Sequence, residues 1–428
     1  MNKFQIAKTP PMGWNSWDCY GAAVTEEQLL ANADYVAKNL KSHGFEYIVC
    51  DIQWYEPEAK SNVYNPFAPL SMDKYSRLIP AVNRFPSSKG GKGFKPIADK
   101  IHAMGLKFGI HIMRGIPRQA VHKDTPILGT EVTARQIAKE YSLCPWNTDM
   151  YGVNPKADGA REYYQSLVDL YASWGVDFIK CDDICNTEFN KENPYSAKDE
   201  IELLRSCLDR CEREIVLSLS PGPAPLDFAV HLSQNANMWR LTGDFWDSWD
   251  KLKAMFERTS KWYEYVKESC WPDCDMLPLG RLAKNASYEG EKDRYTKFTT
   301  DEQVTLMNLW CIFRSPLMLG GELNENTDWD LWLITNDEVL SANIKGSNPR
   351  PLSYDEHEAV WVSDGDGCKY LALFNLSDEE KTVSVETKQT GIESPDVRDL
   401  WLHKDLGTVK KKIKVPLKPH ASVMYKLK

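Results

Sequence analysis

Over the first 345 or so residues, apolar positions alternate between short extended runs and stretches with helical period. The extended runs are 12–17 (MGWNSW), 47–52 (YIVCDI), 107–112 (KFGIHI), 177–182 (DFIKCD), 215–220 (IVLSLS), 239–244 (WRLTGD), 273–279 (DCDMLPL) and 315–321 (SPLMLGG). Helical periods occupy 25–42, 95–104, 160–173, 198–212, 226–235, 248–266, 300–313 and 329–342, the first opened by the N-cap candidate Thr25. Eight strands, each followed by a helix, predict an α/β fold, a (β/α)8 TIM barrel spanning residues 1–345. A doubly wound open sheet is the competing arrangement, but no Gly-rich phosphate turn follows the first strand. The stretch from Tyr55 to Gly93, rich in Pro, Ser, Asn and Gly, reads as a long loop on the C-terminal side of the second strand, a rim or lid. From Gly346 the helical period stops, and runs such as AVWVSDG (359–365) and SVMYKLK (422–428) predict a C-terminal antiparallel β-sandwich domain over 346–428.

The apolar strands finish in polar residues. In WGVDFIKCDDI (174–184) the period of two puts Val176, Phe178, Lys180 and Asp182 on one face and Asp183 on the other. Lys180 and Asp182 would then enter the barrel mouth together, and the same count groups Arg240, Thr242 and Asp244. Two carboxylates facing one pocket, each beside a cation, suit glycoside chemistry, with one as nucleophile and the other as acid and then base. An acid at a strand end often serves instead as a helix N-cap. The accumulation of Asp51, Asp182, Asp244 and Asp275 with Lys180 and Arg240 favours a site. Trp14, Trp17, Trp54, Trp239, Trp246 and Trp271 gather at the same ends; some belong to the core, but an indole face at a pocket mouth fits a sugar ring.

Charge narrows the partners. A net charge of −9 argues against nucleic acid or an anionic membrane, leaving a neutral ligand such as a carbohydrate. The start, MNKFQIAKTPPMGW, has no apolar leader and no later stretch is apolar enough to span a bilayer, so a cytoplasmic protein is expected. Eleven cysteines point to reduced thiols. Three C-x3-C pairs (Cys181/Cys185, Cys207/Cys211, Cys270/Cys274) have no histidine close in sequence, so no metal is expected. A homo-oligomer is left open, because the long loop could meet a neighbouring chain.

PMGWNSW (11–17), YIVCDIQW (47–54), IADKIHAMGLKFGIH (97–111), WGVDFIKCDD (174–183), WRLTGDFWDSW (239–249), WPDCDML (271–277) and RSPLMLGG (314–321), in that order, resemble glycoside hydrolase family 27, the α-galactosidases and α-N-acetylgalactosaminidases. The resemblance implies Asp182 as nucleophile, Asp244 as acid/base, and retention of configuration without metal or cofactor. It also implies sugar contacts from Trp17, Asp51, Lys180, Arg240 and Asp275, and Trp54 joins them as a candidate from its place at a strand end. Three departures bear on the sugar. Ile52 follows Asp51 where galactosidases carry a second carboxylate, which would suit a sugar without the C6 hydroxyl, such as β-L-arabinopyranose. His111 stands where a tyrosine is usual. Ser220 replaces a Glu that meets the C2 hydroxyl, as in the acetamido-sugar enzymes. The expected activity is removal of terminal α-galactosyl or α-N-acetylgalactosaminyl residues, with a β-L-arabinopyranosidase, a non-catalytic sugar-binding barrel and a metal-dependent barrel hydrolase as alternatives.

Overall fold

The computed structural model describes residues 2–61, 63–285 and 291–428; residue 62, within the long loop, lies outside them. Eight strands form one parallel sheet: β1 Met12–Asn15, β2 Tyr47–Cys50, β3 Lys107–Met113, β4 Phe178–Asp182, β5 Val216–Leu219, β6 Met238–Arg240, β7 Trp271–Asp273 and β8 Leu317–Leu319. Neighbours pair in chain order from β1 to β7, and β8 pairs with β1. A parallel bridge from Leu277 to Leu319 joins the two ends, so the sheet curls into a barrel. Strands such as β2 are buried at every position, as parallel strands must be when helices cover one face and a packed interior the other.

The helices start where the side chains dictate. Thr25 forms a capping box with Gln28 and opens α1, Glu26–Tyr35. Ala160–Trp174 (α2) stops at Gly175, whose φ of 87° suits glycine and turns the chain into β4. Two expectations need correction. The period over 329–342 is two helices, Asp328–Ile334 and Asp337–Lys345, because the Asn336 side chain accepts from the amides of Glu338 and Val339 and begins a new helix. The seventh strand is Trp271–Asp273, earlier than 273–279; Pro272 sits inside it, paired with Trp239, and the later residues contribute only the closing bridge.

An element without a sequence signal lies between β3 and α2. Ile116–Pro117, Ala138–Leu143 and Met150–Val153 form a small antiparallel sheet over the barrel's C-terminal end. The long loop is pinned: Arg84 donates to the carbonyls of Gln53, Glu56, Ala22 and Val24 from a buried guanidinium.

Beyond the barrel, six antiparallel strands run in the order Ser347–Tyr354, Glu358–Gly365, Cys368–Asn375, Ser422–Leu427, Asp396–Asp399, Lys404–Thr408. A two-stranded sheet, Lys381–Glu386 with Lys412–Leu417, covers one face around Val360, Leu371, Leu373, Val383 and Ile413. The alternate positions Trp361, Ala372, Phe374 and Met424 join the barrel's own core. All eleven cysteines are buried thiols. Among the described residues no helix is long and apolar enough to cross a membrane.

Candidate active site

A cleft of about 340 Å³ opens at the C-terminal ends of the barrel strands. Asp51 and Ile52 enter from the end of β2, Lys180 and Asp182 from β4, Pro221 and Gly222 after β5, and Gly243, Asp244 and Trp246 after β6. Such strand ends are where barrel sites form, because the loops there vary while the strands hold them rigidly.

Lys180 and Asp182 share a face of β4, as the period of two requires. The Lys180 ammonium lies 2.9 Å from Asp51 Oδ2, which also accepts from Asn15 at 2.8 Å. His111, fully buried on β3 in register with Lys180, places Nε2 3.0 Å from Asp182 Oδ2. The amide of Asp183 donates to Asp182 Oδ1 at 2.9 Å. Burial opposes the charge on Asp182, yet the His111 hydrogen bond and the Lys180 charge outweigh it and hold the carboxyl well below the usual range. Asp51 is lowered likewise, burial being offset by Lys180 and His111. Burial also opposes the Lys180 charge, but Asp51 and Asp182 hold its ammonium above its ordinary value.

Across the cleft, Arg240 spans two carboxylates, with its guanidinium 3.1 Å from Asp244 Oδ1 and 3.0 Å from Asp275 Oδ2. Strand β6 ends at Arg240, so Asp244 is delivered by the turn after the strand and the alternation expected through Thr242 does not hold. Side-chain exposure separates the pair: Asp244 is 58% exposed and Asp182 14%. One carboxyl can exchange protons with solvent, and the other is kept charged. Asp275 is fixed by the Phe245 amide at 2.8 Å, and its own amide donates to buried Asp273. Burial pushes Asp273 up to about 7, Asp275 adding to the rise and Arg240 opposing it. Gln53, Asp183 and Asp275, just past their strand ends, hold φ of 62°, 53° and 83°, the strained backbone that side chains at working sites often carry.

Of the tryptophans grouped by the sequence, Trp17 and Trp246 line the cleft. Trp14, Trp54, Trp239 and Trp271 are core residues, each fully buried. Trp54 in particular donates its indole N–H to the carbonyl of His111 at 2.7 Å and packs edge-on to Phe94 and Trp174, so it supports the site from beneath and touches no ligand space. Ser220 is also fully buried, its hydroxyl without a hydrogen-bond partner among the described residues, behind the Pro221 and Gly222 that form the wall. Tyr64 and Trp146 were missed. Tyr64, from the long loop, stacks on Trp17 with ring centroids 6.3 Å apart and meets Trp146, from the turn between the last two strands of the small sheet, at 5.9 Å. Both line the cleft, and both sit in irregular chain where no period marks them. The long loop is therefore a rim that contributes an aromatic wall.

Two family models match the chain: alpha galactosidase A over residues 149–345, and the alpha galactosidase C-terminal beta sandwich domain over 355–427. Among curated proteins, the α-galactosidase of Coffea arabica is 28% identical over 432 residues, 99% of this chain and 94% of that protein. A family 27 β-L-arabinopyranosidase from Geobacillus stearothermophilus has a crystal structure that superposes with a TM-score of 0.97 at 57% identity, covering 99% of this chain and 97% of its own. A candidate α-N-acetylgalactosaminidase of Bacillus halodurans C-125 gives 0.89 at 50% identity over 99% of each chain. The likeness embraces barrel and sandwich together, and with 57% identity to a full-length member the chain belongs to glycoside hydrolase family 27, the melibiase-like glycosidases.

Proposed function

We propose that this glycosidase is a retaining exo-enzyme whose preferred terminal sugar is β-L-arabinopyranose. The observation that carries the reading is Ile52, 1% exposed and lining the cleft beside Asp51. β-L-Arabinopyranose has the ring stereochemistry of α-D-galactopyranose without the hydroxymethyl group. A C6 hydroxyl brought against Ile52 would leave water without finding a partner, a loss of roughly 1–3 kcal/mol. The identity with an arabinopyranosidase supports the same reading. α-Galactosides are the second reading, favoured by the Asp51 and Lys180 pair, which would meet hydroxyls common to both sugars; they are expected to be slower substrates.

In this mechanism Trp17 and Trp246 receive the apolar face of the sugar, and Asp51 and Lys180 hold its hydroxyls. Asp182, kept ionised by its neighbours, attacks the anomeric carbon as Asp244 gives its proton to the departing glycosidic oxygen. Water then displaces Asp182 from the same face that the aglycone left, with Asp244 taking the water's proton. Arg240 holds Asp244 toward the cleft and stands near the C2 hydroxyl. Proton NMR of nitrophenyl β-L-arabinopyranoside hydrolysis should show the β-anomer as first product, with no turnover by Asp182→Asn. Appearance of the α-anomer first, or a fully active Asp182→Asn, would overturn the reading.

A further inference from the structure

We infer that His111 is a positioning residue for the second half of the reaction: its imidazole steadies Asp182 as that carboxylate leaves the sugar. The inference rests on Asp182 being the nucleophile. Three observations carry it. His111 Nε2 lies 3.0 Å from Asp182 Oδ2, so that nitrogen bears the proton and donates. The ring is fully buried and, among the described residues, its other nitrogen, Nδ1, has no hydrogen-bond partner, so there Asp182 is the hydrogen-bonding group that orients the imidazole. The backbone beneath is locked by the Trp54 indole, which donates to the His111 carbonyl at 2.7 Å.

The consequence follows from where charge moves. When Asp182 attacks, its negative charge is consumed, so a donor on Oδ2 is weakened on the way to the covalent sugar ester. In the second step water oxygen bonds to the anomeric carbon and passes its proton to Asp244. The bond from that carbon to Asp182 breaks, its electron pair returning to the carboxylate. The donor on Oδ2 is now strengthened as charge grows, while His111 keeps its proton throughout. Interactions stronger in a transition state than before it accelerate that step. His111 therefore favours release of the sugar over formation of the ester.

A residue that merely filled space would not divide the two steps. With nitrophenyl β-L-arabinopyranoside, whose leaving group makes the first step easy, His111→Phe should lower kcat roughly ten- to hundredfold, the size of one lost hydrogen bond to a charged group. KM should fall with it, kcat/KM should change little, and nitrophenol should appear in a burst as the ester accumulates. His111→Gln, whose amide nitrogen reaches the Nε2 position, should restore much of kcat. If His111→Phe fails to fold, His111→Asn, too short to reach Oδ2, takes its place. A variant that loses kcat/KM as much as kcat, without a burst, overturns the inference, as does one with parental kinetics. A fully active Asp182→Asn would instead remove the nucleophile assignment beneath it.

Discussion

At Ile52 a side chain that packs stands where one that accepts hydrogen bonds would hold a hydroxymethyl group. Ile52→Asp should shift the ratio of kcat/KM values toward nitrophenyl α-galactoside by about tenfold, one hydrogen bond's worth, at some cost in stability from the buried charge; an unchanged ratio would mean that Ile52 does not set the choice of sugar. Asp273 allows a second prediction. Burial carries its carboxyl to about 7, against about 4 in the unfolded chain. Between those values the folded protein holds a proton that the unfolded chain has released, so stability falls as pH rises through the window. Asp273→Asn keeps an acceptor for the Asp275 amide and removes the titration. Its melting temperature relative to the parent should therefore rise between about pH 4 and pH 8, and a constant difference would contradict the assignment.

The elements differ in how much of themselves they write into the sequence. Seven of the eight strands were legible because each is a short apolar run with a clear end, the seventh being misplaced toward 273–279, and Lys180 and Asp182 follow from the period of two. Asp244 reaches the cleft by another route, from a turn held by Arg240, so its place there was legible while its backbone was not. Trp54 failed as a sugar contact because proximity to a strand end does not say which way a ring points. Tyr64 and Trp146 were illegible because their place depends on contacts between two irregular segments. Arg84 fixes one of those segments through four carbonyl oxygens. Arg84→Ala should cost about 3 kcal/mol or more by leaving them unpaired, and should raise KM as the Tyr64 wall loosens, measured by denaturant unfolding and initial rates.

For the whole molecule, the six-stranded sheet packs one face on the barrel, with Phe374 against Phe256 at 4.9 Å and Trp361 near Phe313 at 6.1 Å. Asn308 links the two parts through Trp401 and Ser422. An apolar face shared in this way cannot be exposed cheaply, so barrel and sandwich should unfold in a single calorimetric transition. Phe374→Ala, which empties a fully buried position, should destabilise that transition by about 3–5 kcal/mol. Two resolved transitions in the parent would show that the sandwich is only loosely joined to the barrel.

The most direct test of the account is the ratio of kcat/KM for nitrophenyl β-L-arabinopyranoside to that for the α-galactoside, with Asp182→Asn as the blank. The account predicts a ratio clearly above one in the parent enzyme. A ratio below one would contradict the role given to Ile52 and make the protein an α-galactosidase in activity.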